Sequence, residues 1–99
     1  MAYEIVIKKR FTNKLLGVLD YLEKEWGARV TKQFIDRFDY VLDALKENPY
    51  IYSIYFESKK IRRCVIHPRI IMYYRISSKT KISILLFWNT SQNPANLKF

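Results

Sequence analysis

The side chains best suited to chemistry in this sequence are cations. Lys59, Lys60, Arg62, Arg63, Arg69 and Arg75 crowd into one short stretch, with Tyr73 among them. Cations interleaved with an aromatic ring suit a phosphate backbone and stacked bases. The same surface suits an acidic, disordered protein segment that folds as it binds. Long basic side chains can also do no more than cover sheet surface. His67, the one histidine, is the general base to propose for any proton transfer, because its unperturbed pKa lies near neutrality. It precedes Pro68 and has no second histidine as an acid–base partner, so an ordinary turn histidine is the plainer reading. Cys64 falls inside a strand pattern and reads as a buried, inert thiol.

One Cys and one His argue against a disulfide framework, a Cys-based zinc finger or any protein-only transition-metal site. Gly17 and Gly27 are the only glycines, so there is no phosphate-cradling glycine loop, and no cofactor is implied. The 99 residues predict a single domain, 1–99. A hydrophobic share of 49% with 2 Gly and 3 Pro excludes a disordered chain. No apolar run approaches the ~20 residues that cross a bilayer, and Met1-Ala2-Tyr3-Glu4 does not open like a secretory signal, so a cytoplasmic protein is expected.

The net charge of +9 is uneven: residues 1–52 carry 9 basic and 8 acidic side chains, and residues 53–99 carry 9 basic and 1 acidic. Such asymmetry points to a polyanion or an acidic partner facing one side.

These residues need elements to hold them. Tyr3–Lys8 alternates like a strand. A helix over Thr12–Trp26 follows, with Thr12 as its cap, Phe11 and Leu16 as a hydrophobic staple, and Leu15, Val18, Leu19, Leu22 and Trp26 as its apolar stripe. Gly27 suits the helix end, and a second helix over Ala28–Glu47 stops before Asn48-Pro49. The run Tyr50, Ile51, Tyr52, Ile54, Tyr55, Phe56 is too aromatic for a plain loop; it either covers the edge of the core or marks a partner interface. Strands over Lys60–Ile66, Ile70–Ser77 and Lys81–Trp88 complete a β-α-α-β-β-β order. The expected class is α+β, a helical hairpin packed on a mainly antiparallel sheet. Strand alternation then puts Arg63, Tyr73 and Arg75 on the helix-free face.

This layout, with the text IRRCVIHPRIIMYYRISSKTKISILLFWNTSQNP, resembles the RelE/ParE superfamily of type II toxin–antitoxin toxins, also called plasmid stabilisation proteins. The carriers are Lys60-Ile61-Arg62-Arg63, Met72-Tyr73-Tyr74-Arg75-Ile76, the apolar last strand and Asn93-Pro94. The resemblance implies a growth-inhibiting toxin neutralised by a cognate antitoxin, whose acidic or amphipathic C-terminal segment wraps it. Its RelE-like branch consists of ribosome-dependent mRNA endonucleases, with Lys and Arg on the middle strands, an Arg after the last strand and often a C-terminal aromatic. Its ParE-like branch is associated with poisoning DNA gyrase and lacks that set. Here Ile71 stands where the nuclease branch tends to have an arginine, with Arg69 two positions earlier as a partial replacement. Thr90-Ser91-Gln92 follows the last strand, and Leu97 or Phe99 is near the place of the terminal tyrosine. If the chain were an endoribonuclease, Arg62, Arg63 and Arg69 would supply cations, with His67 or Lys60 assisting the proton transfer. The incomplete set favours the ParE-like branch, a non-enzymatic inhibitor. Under either reading Lys59, Lys60, Arg62, Arg63, Arg69, Tyr73 and Arg75 form the binding surface for antitoxin or nucleic acid.

Overall fold

Burial, not capping chemistry, sets the start of the first helix. In a computed structural model, which describes residues 2–97, strand β1 (Glu4–Val6) leads into helix α1 (Lys9–Trp26). Lys8 occupies the cap position with extended backbone and no side-chain cap. Thr12, expected as the cap, lies inside the first turn and donates its hydroxyl to the Lys8 carbonyl at 3.4 Å. Leu16 is exposed, so the expected staple does not form. The early start carries Phe11 into the core, where its ring lies 5.0 Å from that of Phe87. Such tertiary packing outweighs the ~1 kcal/mol typical of a cap.

Gly27 joins α1 to α2 (Ala28–Glu47) as a single linking residue. Its N–H donates to the carbonyls of Leu22 and Glu23, and its own carbonyl accepts from the Thr31 backbone N–H and hydroxyl. One residue at φ 88°, a region open mainly to glycine, thus takes part in the backbone hydrogen bonding of both helix ends. On α2, Phe34, Phe38, Val41 and Leu45 recur at three- and four-residue spacing and are buried as one apolar stripe.

Strands β2 (Ile54–Phe56), β3 (Ile61–His67), β4 (Ile70–Ile76) and β5 (Lys81–Asn89) follow, with a 3-10 turn at Glu57–Lys59 and another at Pro94–Asn96. The sheet order is β1-β5-β4-β3-β2; β1 runs parallel to β5 and the other pairs are antiparallel. The α+β reading holds, with one strand more than expected: the aromatic run after Pro49 supplies β2 as an edge.

Both helices cover one face. There Cys64, Ile66, Met72, Tyr74, Ile82 and Ile84 meet Phe11, Leu22, Phe34, Phe38, Val41 and Leu45. A register shift between Tyr73 and Tyr74, opposite Leu86 and Ile84 on β5, leaves Leu85 without a partner. Alternation sends Tyr74 to the helix side and Tyr73 to the other, and both are buried. Tyr73 and Ile61 lie outside the helix-side cluster, with the Tyr55 ring 5.2 Å from that of Tyr73.

The Gly27 backbone gives the first test. A Cβ there meets no atom within 4 Å, so the cost of Gly27→Ala is conformational alone. We expect a loss of ~1–3 kcal/mol in urea denaturation with an unchanged m-value; full wild-type stability would mean that the linker relaxes freely.

Candidate functional site

A strongly cationic concavity lies where the start of α1 meets the sheet. Lys8, Arg10 and Lys14 project from the β1–α1 junction and the first turns of α1; Lys59 and Arg75 come from the other side. Between them lies a floor that includes Val6, Phe11, Ile61, Leu85 and Leu86. The groove has a volume of about 560 Å³ and no carboxylate in its lining. A second hollow of about 350 Å³ continues it past Lys14 and Leu86 toward Trp88, Gln92, Asn96 and Leu97. The two form an elongated trough, apolar below and cationic at the rim.

Local structure explains the convergence. Residues four apart share a helix face, which aligns Arg10 with Lys14. The parallel pairing of Val6 with Ser83 lays the β1–α1 junction beside β5, and Arg75 stands opposite Ser83 on β4. The near-neutral charge of the first half of the sequence conceals this site. Lys8, Lys9, Arg10 and Lys14 belong to the half that nets +1, because its carboxylates lie mostly farther along the helices. The visible signal was the basic run itself, four cations in seven positions with no acid among them.

The residues singled out from the sequence do not form one cluster. Arg63, Tyr73 and Arg75 share the helix-free face as alternation predicts, and Lys59 and Arg75 line the groove. Arg63 lies over the Tyr55 ring at 5.2 Å. Tyr73 is not open for stacking: it is buried, and burial raises its pKa, an effect that the nearby Arg63 partly opposes. Arg62 points the other way, donating to the Tyr52 carbonyl at 2.7 Å and lying 5.1 Å from the Tyr50 ring centre. Lys60 is exposed on a left-handed turn, φ 53°, just before β3.

Arg69 does not stand in for an arginine at position 71. It lies in the turn between β3 and β4, where strand alternation no longer applies, and its guanidinium sits 5.8 Å from the Trp26 ring centre. Ile71 instead joins Val65 and Trp88 in a row across the helix-free face. After β5, Thr90 closes back on that turn, donating its N–H to the Arg69 carbonyl at 2.8 Å. Leu97 lines the second hollow; Lys98 and Phe99 lie outside the described residues. Cys64 is buried, and burial pushes its thiol pKa up, which keeps it protonated.

His67 is similarly committed. Its Nδ1 accepts the Arg69 backbone N–H at 3.1 Å. In the neutral ring that bond assigns the proton to Nε2, which can then donate but not accept. Burial and, secondarily, the Arg69 charge lower its pKa.

The family model described as "ParE toxin of type II toxin-antitoxin system, parDE" matches residues 5–94. No curated protein matches the sequence. A structure of the chromosomal ParDE toxin–antitoxin system from P. aeruginosa is similar in fold, with TM-score 0.70 at 11% identity over 89% of this chain and 96% of that one. A copper-bound mutant toxin from Helicobacter pylori is similar at TM-score 0.55 and 15% identity, over 92% and 97% of the two chains.

The His67 environment has a measurable consequence. A folded-state pKa below the ordinary 6.5 means that the unfolded chain binds the proton first. The neutral ring's contribution is therefore full above pH ~6.5 and is lost as pH falls through the folded pKa. Proton NMR titration of this one histidine should give a midpoint below 6.5, and His67→Asn should flatten the accompanying slope of stability with pH. A midpoint at or above 6.5 would refute the assignment.

Proposed function

The chain belongs to the ParE toxin family of type II toxin–antitoxin systems, and from that premise we propose that it arrests growth by binding a large protein target, DNA gyrase, without cleaving RNA. The observation that carries this reading is the dispersal of the would-be nuclease set. In-line attack on a phosphodiester requires cations and a proton acceptor converging on one phosphate. Here Arg62 is engaged on the helix side, Arg63 lies on the opposite face, Arg69 rests on Trp26, and His67 accepts a backbone hydrogen bond through Nδ1. A binding protein needs no such convergence.

The cognate antitoxin is the second partner, and the trough suits it. An acidic, amphipathic segment could lay apolar side chains on Ile61, Leu85 and Leu86 and its carboxylates against Lys8, Arg10, Lys14, Lys59 and Arg75. Its length and mixed lining favour an extended or helical peptide over a compact anion.

Two measurements test these readings. Purified toxin should inhibit supercoiling by gyrase, and primer extension on transcripts from arrested cells should show no codon-phased ends; such ends would instead establish the ribosome-dependent endonuclease. Reversing two rim charges, Lys14→Glu with Arg75→Glu, should weaken antitoxin binding by roughly tenfold or more, and wild-type affinity should fall as salt rises from ~0.05 to ~0.5 M. An affinity indifferent to both changes would remove the rim from the interface.

A further inference from the structure

The aromatic run after Pro49 divides in two. Tyr52 and Ile54 are half-buried, whereas Tyr50 and Ile51 are 60% and 48% exposed. Beside them on α2, Tyr40 is 65% exposed. Each of the two tyrosine rings carries an arginine: Arg37 lies 5.7 Å from the Tyr40 ring centre, and Arg62 lies 5.1 Å from that of Tyr50. Tyr52 lies close to both Arg37 and Tyr40.

The segment that displays Tyr50 is anchored from beneath. The buried Tyr74 hydroxyl donates to the Pro49 carbonyl at 2.8 Å, Arg62 to the Tyr52 carbonyl at 2.7 Å, and the Tyr50 N–H to the Asn48 side chain at 3.1 Å. Tyr50 also shares a side-chain hydrogen bond with Tyr3. Large apolar groups held outward on an ordered segment lose little entropy when they bind. Tyrosine and arginine at the centre of a patch are also the residue types that dominate protein interfaces.

We infer that the ridge formed by Tyr40, Tyr50, Ile51, Arg37 and Arg62 is the surface that grips the toxin's target, a folded protein presenting carboxylates around an apolar hollow. Charge complementarity identifies that partner. Both cations of the ridge are arginines set against rings. Asp36 and Asp43, on the neighbouring turns of α2, are each ion-paired with a lysine, so the two arginines outweigh the one other exposed carboxylate beside Tyr40, Asp39. The lysine-rich rim suited to a flexible acidic segment belongs to the trough, whose lining includes none of these five residues. The inference rests on the toxin reading and adds that target and antitoxin meet different surfaces.

The test induces wild type, Tyr40→Ala/Tyr50→Ala and Arg37→Glu in growing cells, then measures the melting curve and antitoxin affinity of each purified protein. Wild type should arrest growth. Each variant should need at least about tenfold more protein to do so, while melting within a few degrees of wild type and binding antitoxin within about twofold. Tyr40→Ala alone, which removes a largely exposed side chain, controls for folding and should retain part of the loss. Variants as potent as wild type would overturn the ridge and leave the toxin reading standing. A wild type that arrests nothing would overturn both. Loss of antitoxin affinity in step with toxicity would make the ridge the antitoxin's seat. A wild-type dimer dissociated by the double variant would place a second copy there, and either outcome overturns the assignment to the target.

Discussion

The structure depends on a three-residue parallel pairing. β1 must lie beside β5, with Glu4, Ile5 and Val6 opposite Lys81, Ile82 and Ser83. Three residues form a weak strand by themselves, and two further hydrogen bonds secure it: Tyr3 N–H to the Lys46 carbonyl and Glu4 N–H to the Thr80 carbonyl, both at 2.8 Å. One ties β1 to the end of α2, the other to the turn before β5. The pairing therefore fixes the start of α1 relative to the far end of the chain. Ile5 turns inward to the core, and Val6 turns outward to become part of the trough floor. Without it, Lys8, Arg10 and Lys14 would have no fixed relation to Arg75.

The same arrangement sorts the charges. Among the described residues, Asp20, Asp36 and Asp43 form exposed helix ion pairs with Lys24, Lys32 and Lys46. Each such pair adds little stability, but together they neutralise helix surface that would otherwise carry a field. Around the trough five cations surround an apolar floor, and no carboxylate is among its lining residues. Mutual repulsion there costs stability that a negatively charged occupant relieves. The net charge of +9 is therefore a local property as much as a global one.

Much of this was legible in the sequence because its cause is local. The α2 stripe, the stop at Asn48-Pro49 and the alternation that separates Arg62 from Arg63 all follow from 3.6- and two-residue periods or from proline sterics. The misreadings arise where distant contacts decide. The Thr12 cap was plausible chemistry, but the aromatic group around Phe87 draws Phe11 inward and moves the helix start to Lys9. Tyr73 looked like an exposed platform because its strand face carries arginines; the Tyr55 ring from the neighbouring segment lies against it instead. Arg69, two positions before Ile71, is a replacement for an arginine there only if the strand period reaches it, yet it lies in a turn, where the two-residue period has no meaning. The trough could not be read from either half of the sequence, since it is assembled from both.

A toxin that must be restrained by one protein and act on another has two ways to arrange its surface. It can use one site, so that the antitoxin simply excludes the target, or two, so that restraint must be transmitted through the fold or by steric bulk. The sheet offers material for the second arrangement. Arg62 and Arg63 are adjacent on β3, yet one braces the segment that carries Tyr50 while the other lies over Tyr55 on the opposite face. A strand that contributes to both faces couples them mechanically, because shifting β3 would disturb both sets of contacts. The buried Tyr74–Pro49 hydrogen bond holds the segment that carries Tyr50 to β4: separating the pair would leave a hydroxyl and a carbonyl unsatisfied, at ~1–3 kcal/mol for each group. That favours a rigid fold with two independent surfaces; on the proposed assignment, an antitoxin seated in the trough would block the target by its size and not by remodelling the ridge.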